Sequence, residues 1–344
     1  MKITNFLMVA IVIVAVVVIS TAFYGYQVVN TPNILVGKES KLFYIPSDAT
    51  FDSVRNTLYD KDYVQNIVAF SLLAKLMNYN EQVKPGRYKL DANMTNIEAI
   101  RHLRSGRQEP LNITFNTIRT KQDLAGKITK NVMADSSRFL ELLNNQEVAS
   151  KYGFTRENFL TMFIPNTYEV YWTIKSDELI NRMHKEYQRF WTEPRKDKAE
   201  QLGMNQVEVS ILASIVDAET NQREEAPTVA GLYLNRLERN IALQADPTLV
   251  FAHQDFTIRR VLDKHKEIES PYNTYKYTGL PPGPIRLPDG PMIDAVLNHQ
   301  DHSYLYMCAK EDFSGYHNFA TNLRDHLNNA ARYQRALSQK GIYR

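Results

Sequence analysis

The run FLMVAIVIVAVVVISTAF, Phe6 to Phe23, contains no charged residue. As a helix rising about 1.5 Å per residue, it covers most of the roughly 30 Å hydrocarbon core of a bilayer. A buried core helix fits such a run poorly, because the run is apolar on every side and sits at the very start of the chain. A secretory signal has a shorter apolar stretch, about 7–15 residues, followed by a small-x-small cleavage site. Here the run passes into the bulky Phe23 and Tyr24, so it reads as an uncleaved anchor. Lys2 and the N-terminal amine lie on its short side. The positive-inside tendency then puts the N-terminus in the cytoplasm and everything after Thr31 outside it.

A chain of 344 residues has room for about two domains. Lys and Arg exceed Asp and Glu by only 41 − 38 = +3, which gives no argument for nucleic acid, and no nucleic-acid module is visible. Cys308 is the one cysteine, so no intramolecular disulfide forms, and in YLYMCAK it reads as a small buried strand residue.

The expected fold class is α+β. Residues 1–5 form a cytoplasmic tip, 6–24 the spanning helix, and 25–40, with Thr31-Pro32-Asn33, a juxtamembrane linker. Residues 41–107 read as a small α+β unit. KLFYI and KPGRYKL are its strands, and FDSVRNTLYDKDYV, QNIVAFSLLAKLM and MTNIEAIRHLRSG its helices. In the last of these, Thr95 and Glu98 are spaced as a capping box, and Gly106 is the stop. Residues 108–205 form a mostly helical connection containing FIPNTYEVYW, either a sugar-stacking segment or an ordinary strand. Residues 206–344 hold most of the irregular polar loops and form the larger mixed α+β part.

Within that part, ILASIVDAETNQR, Ile211 to Arg223, reads as a buried helix that puts Glu219 on a stripe with Leu212, Ile215 and Val216. Asp217 is rotated about 200° away from Glu219. A carboxyl among apolar groups is desolvated, and its pKa rises toward the range of a general acid. The alternative is a helix-end Glu paired with Arg223. Glu224 and Glu225 read as helix caps ahead of Pro227, and in QADPTLVFA Asp246 reads as an N-cap ahead of Pro247. SPYNTYKYTGLPPGPI, Ser270 to Ile285, is a stiff irregular loop of the kind on which sites are built.

Metal chemistry lacks an H-E-x-x-H or a cysteine pair, and His299, Asp301 and His302 have no evident third helix ligand. Nucleophilic serine chemistry lacks a G-x-S-x-G elbow, and phosphate binding lacks a glycine-rich turn. No cofactor is expected. What remains is acid/base chemistry with one carboxyl of raised pKa. Conventional glycosidases use two facing carboxylates. A single acid suffices when the sugar supplies its own nucleophile. The acid protonates the glycosidic oxygen, then as carboxylate takes a proton from a hydroxyl of the same ring, leaving an internal anhydro-sugar.

The motifs ASIVDAET, LQADPT, YNTYKYTGLPPGPI and HNFATNLRDH, in this order, resemble those of the YceG-like endolytic murein transglycosylases, the MltG family. VKPGRYKL and the unit around it resemble that family's LysM-like subdomain, and FIPNTY its F-P-D-T-Y segment. The resemblance implies that Glu219 is the catalytic acid. It also implies that Gln244, Asp246, Asn273, Tyr275, His317 and Asn322 bind substrate, and that the cleaved bond is MurNAc-β-1,4-GlcNAc in nascent peptidoglycan strands. The products would be 1,6-anhydroMurNAc ends, the location the inner membrane with a periplasmic catalytic domain, and the partner class the peptidoglycan synthases (penicillin-binding proteins). Two positions depart from the pattern: Asp217 stands where many relatives have Glu, and Asn166 replaces the Asp of F-P-D-T-Y. The competing expectations are a muramidase-type hydrolase, with Asp246 or Asp217 activating water, and an anchored glycan-binding scaffold without activity.

Overall fold

The computed structural model describes residues 2–341, and side chains from Phe6 onward. It divides into two compact units, one of residues 1–112 and 169–174, the other of 113–168 and 175–344. In the first, α1 (Lys2–Asn30) is followed by β1 (Pro32–Ile34), β2 (Lys41–Ile45), α2 (Phe51–Asp60), α3 (Ile67–Leu76), β3 (Gly86–Leu90), β4 (Met94–Thr95) and α4 (Asn96–Ser105). β2 and β3 pair antiparallel with Phe43 opposite Tyr88, and β1 pairs antiparallel with β4. Side chains alternate across a strand, so Phe43 and Ile45 of β2 and Tyr88 and Leu90 of β3 enter one core. Val54, Leu58, Phe70, Ile100 and Leu103 from the helices complete it. The capping box forms as the sequence predicts: Glu98 N donates to Thr95 Oγ1, Thr95 N donates to Glu98 Oε2, and Gly106 takes φ 74°.

The start of the chain differs from expectation. Among the described residues, α1 is the one helix long and apolar enough to cross a membrane, and its apolar span runs from Phe6 to Asn30. Residues 25–30 are helical rather than linker, because nothing breaks the helix until Pro32 and because Val28 finds a place in the core. A buried polar chain fixes the junction. Asn96 Nδ2 donates to Val28 O at 2.8 Å, Asn33 Nδ2 donates to Asn96 Oδ1 at 2.6 Å, and Asn66 N donates to Asn33 Oδ1 at 2.7 Å.

β5 (Leu111–Phe115) pairs with a later strand, β6, and the chain passes between the two units along this ribbon. The second unit contains α5 (Lys121–Ile128), α6 (Ser136–Asn144), α7 (Gln146–Lys151), part of β6 (Asn166–Val170), α8 (Ser176–Phe190), α9 (Glu193–Gln201), α10 (Gln206–Glu219), α11 (Ala226–Glu238), α12 (Asp246–His253), α13 (Gly290–Leu297), β7 (Tyr306–Ala309), β8 (His317–Ala320) and α14 (Leu323–Gln339). α10 is its central helix and packs on α9, α11, α12 and α13. Its residues Val209 to Val216 are all buried, so the expected single stripe is instead an apolar surface on every side. Ser214 is accommodated there by donating to Ile211 O at 2.7 Å and accepting from Ile285 N at 3.1 Å.

Asn96→Ala leaves the Val28 carbonyl without its partner and reduces Asn33 Nδ2 to one acceptor, Asn66 O. A buried group stripped of its hydrogen bond costs about 1–3 kcal/mol. The first unit of the detergent-solubilised chain is therefore expected to unfold at lower guanidinium concentration by that amount, with protease sensitivity rising at Asn30–Asn33.

Candidate active site

α10 ends at Glu219, four residues before the Arg223 that the sequence pattern reached. Thr220 turns extended (φ −130°, ψ 138°), and its hydroxyl serves the turn by accepting from Gln222 N and donating to Glu225 Oε2. Glu219 thus sits at the C-terminal end of the most buried helix of this unit. It does not pair with Arg223, which binds Asp289 at 2.5 Å. Instead Tyr233 of α11, 2% exposed, donates its hydroxyl to Glu219 Oε1 at 2.8 Å.

These surroundings push the Glu219 carboxyl up to about 7. Burial is the main cause and the negative charge of Asp246 adds to it, while the Tyr233 hydrogen bond opposes both. The same burial, with the Glu219 carboxyl beside it, drives the Tyr233 phenol well above its ordinary value, so it remains a donor.

Asp246 opens α12, but its side chain makes no cap. Its Oδ1 accepts the Tyr275 hydroxyl at 2.5 Å, and it lines the same cavities as Glu219. A second carboxylate thus reaches the cavities of Glu219 from a different helix. Asp217 does face elsewhere: it forms an ion pair with Arg286 at 2.8 Å, and burial raises its pKa.

Two cavities open on either side of Glu219 and Asp246. The first, of about 350 Å³, is polar and takes Gln244, Tyr275, Arg236 and His317 into its wall. Gln244 holds a left-handed backbone (φ 52°), and its Oε1 accepts from Arg236 Nη2 at 2.7 Å. His317 on β8 is gripped twice by the buried Glu225, which accepts its backbone N–H at 2.7 Å and lies 2.8 Å from Nδ1. Glu225 thus stands at the N-cap position of α11, but its side chain makes no cap bond and fixes a cavity residue instead. Cys308, expected in the core, is half-buried at this cavity's edge. The second cavity, of about 290 Å³, joins apolar residues of α12 and the loop after it to Arg119, Arg259 and Arg286.

The structure brings Glu219, Gln244, Asp246, Tyr275 and His317 together, and places Asn273 and Asn322 elsewhere. Asn273 is fully buried: Nδ2 donates to Lys266 O and Ile268 O, and Oδ1 accepts from Tyr275 N at 3.0 Å, so it sets the loop that carries Tyr275. Asn322 caps α14 by accepting from Asp325 N at 3.0 Å. Tyr233 and Arg236 were hidden in the sequence by the apolar face of α11. The available signal was that a buried Tyr hydroxyl or guanidinium requires a partner. Both ring nitrogens of His302 are engaged by Thr228 O and Tyr304 N. Among the described residues, no group of three or more His, Cys, Asp or Glu side chains is placed to hold a metal ion.

Fold and site together define an α+β protein with paired carboxylates between two cavities and one apolar N-terminal helix. The sequence profile of the YceG-like family matches residues 43–332, and the chain belongs to that family. It is 26% identical over 350 aligned positions, 90% of its length, to an endolytic murein transglycosylase of Streptococcus pneumoniae strain D39. It covers 62% of that relative, so the chain spans about six-tenths of its length. A Bacillus subtilis protein of the same name is 36% identical over 132 positions, 38% of this chain and 35% of the relative. A solved structure of a YceG-like protein from Listeria monocytogenes shares the fold, with a TM-score of 0.56 and 24% identity over 84% of this chain and 98% of that one.

A carboxyl with a raised folded-state pKa costs stability as pH rises. The unfolded chain deprotonates near 4.5, whereas folded Glu219 holds its proton to about 7. The penalty grows across that window and is constant above it. Glu219→Gln removes the penalty, so the variant is expected to gain in melting temperature over the parent between pH 4.5 and 7, and to gain nothing further above it. Tyr233→Phe and Asp246→Asn should move the Glu219 titration, followed by carboxyl-carbon NMR, in opposite directions: upward when the hydrogen bond is lost and downward when the negative charge is lost.

Proposed function

We propose that this chain is a membrane-anchored endolytic lytic transglycosylase that cleaves the MurNAc-β-1,4-GlcNAc bond of nascent peptidoglycan and leaves 1,6-anhydroMurNAc ends, terminating strand elongation. The observation that carries the reading is a cavity-lining carboxyl titrating near 7, hydrogen-bonded by Tyr233. Protonated Glu219 gives its proton to the glycosidic oxygen as the bond to the muramoyl anomeric carbon breaks. The resulting carboxylate then accepts the proton of the muramoyl 6-hydroxyl as that oxygen bonds the anomeric carbon. Atoms balance without water, and Glu219 returns protonated. Positive charge developing on the sugar ring is offset by Asp246, which Tyr275 holds in position.

In this scheme Gln244, Tyr275 and His317 bind the sugar in the polar cavity. Residues 6–24 form the spanning segment, with residues 1–5 in the cytoplasm and the rest in the periplasm. Residues 41–107 form a LysM-like wall-holding unit, 108–205 a connecting region and 206–344 the catalytic core, and the chain works beside peptidoglycan synthases. The family membership and the names of the relatives support this reading. Asp246 at the same cavities favours one rival, a muramidase-type hydrolase in which it orients a water.

Incubation of purified peptidoglycan with the chain in detergent is expected to release muropeptides lighter by one water than their reducing-end counterparts. Reducing ends would establish the hydrolase instead. Glu219→Gln is expected to slow release by a factor of about 10²–10⁴, the usual contribution of a general acid. Unimpaired release would remove Glu219 from the acid role.

A further inference from the structure

The second cavity has a composition that cleavage of a neutral sugar linkage does not require. Part of its wall is apolar, from Val250, Phe251, Phe256 and Ile258, and three guanidinium groups reach it. Arg286 is already matched by Asp217. Arg119 lies over the Phe256 ring, 5.0 Å from its centroid, and Arg259 stands exposed on the loop after α12. The cavity's carboxyl groups, Glu219 and Asp246, lie on the boundary it shares with the polar cavity. One end is thus acidic and suited to the scissile bond, while the other is cationic and apolar.

We propose that this second cavity binds the stem peptide of the muramoyl residue next to the scissile bond, with Arg119 and Arg259 pairing its carboxylates. The assignment rests on the glycan-cleaving function proposed above. Three points carry it. With its lactyl carboxyl amidated by the peptide, the glycan backbone itself offers guanidinium groups no anion, whereas a guanidinium fork matches a carboxylate with two parallel hydrogen bonds. Among the parts of peptidoglycan, the peptide alone combines free carboxylates with methyl-bearing side chains, and Phe251, Phe256 and Val250 suit the latter. The peptide hangs from the lactyl ether of the muramoyl ring, which places it one sugar substituent from the bond that Glu219 would break.

The test compares two ligands, a disaccharide muropeptide and the same disaccharide with the peptide replaced by a methylamide on the lactyl carboxyl, so that the control carries no carboxylate. Each is titrated calorimetrically into the full chain in detergent carrying Glu219→Gln, so that no turnover intervenes. The peptide-bearing ligand is expected to bind roughly ten-fold tighter, the size of one good charge pair. Adding Arg119→Gln and Arg259→Gln is expected to bring the two ligands to within about two-fold of each other, and added salt should shrink the difference in the arginine-bearing protein. Equal affinities before the arginines are changed, or a preference that survives their loss, would overturn the proposal. Strand cutting by the chain with Glu219 intact is scored separately. No cutting with a preserved peptide preference would refute the transglycosylase reading alone, and cutting without the preference would refute the peptide site alone.

Discussion

A carboxyl set at the end of a helix buried on every side is an unfavourable arrangement, and the hydrogen bond from Tyr233 is what tempers it. Burial, the negative charge of Asp246 and the partial negative charge of a helix C-terminus all resist ionisation of Glu219. The Tyr233 hydroxyl opposes them and fixes one carboxyl oxygen in a defined direction. Because Tyr233 is carried by α11 and Glu219 by α10, the contact depends on how those two helices pack. The buried surface from Val209 to Val216 holds α10 in place, so the core of the unit and the protonation state of its end are one problem.

Around this pair, buried polar side chains hold irregular backbone in place. Thr274 receives the Ala245 N–H and shares a hydrogen bond with Thr248, and Gln244 N donates to Thr274 O, which locks the start of α12 to the 270–285 loop. Arg236, 7% exposed, spends its donors on Ala242 O, Leu305 O and Gln244 Oε1, joining α11 to the loop before α12 and to the approach to β7. Gly283 admits no side chain, since a Cβ there would lie 2.2 Å from Glu157 O. The stiffness of the loop thus comes from contacts as much as from its prolines.

Local rules made part of this legible. The Thr95–Glu98 box, the Gly106 stop and the alternation of β2 and β3 all follow from neighbours a few residues apart, which is what a sequence displays directly. Asp246 was misread because Asp before Pro satisfies every local criterion for a cap, while Tyr275, the partner that takes its side chain, lies 29 residues away. Glu225 was misread in the same way, since His317 is 92 residues distant. The end of α10 escaped notice because Thr220 breaks the helix through bonds to the following turn rather than through a Gly or Pro. The second carboxylate and the arginine-lined cavity belong to tertiary geometry, and periodicity along one helix carries no trace of either.

The uninterrupted run of α1 into the first unit's core has a mechanical meaning. A flexible tether would let that unit drift through a shell of heights above a membrane, but Val28 and the Asn33–Asn96 bridge leave no slack at the junction. In an anchored chain, the tilt of the spanning helix and the pose of the first unit are then a single degree of freedom. A change in bilayer thickness that tilts the one must swing the other, so lipid composition becomes an input to the orientation of the first unit.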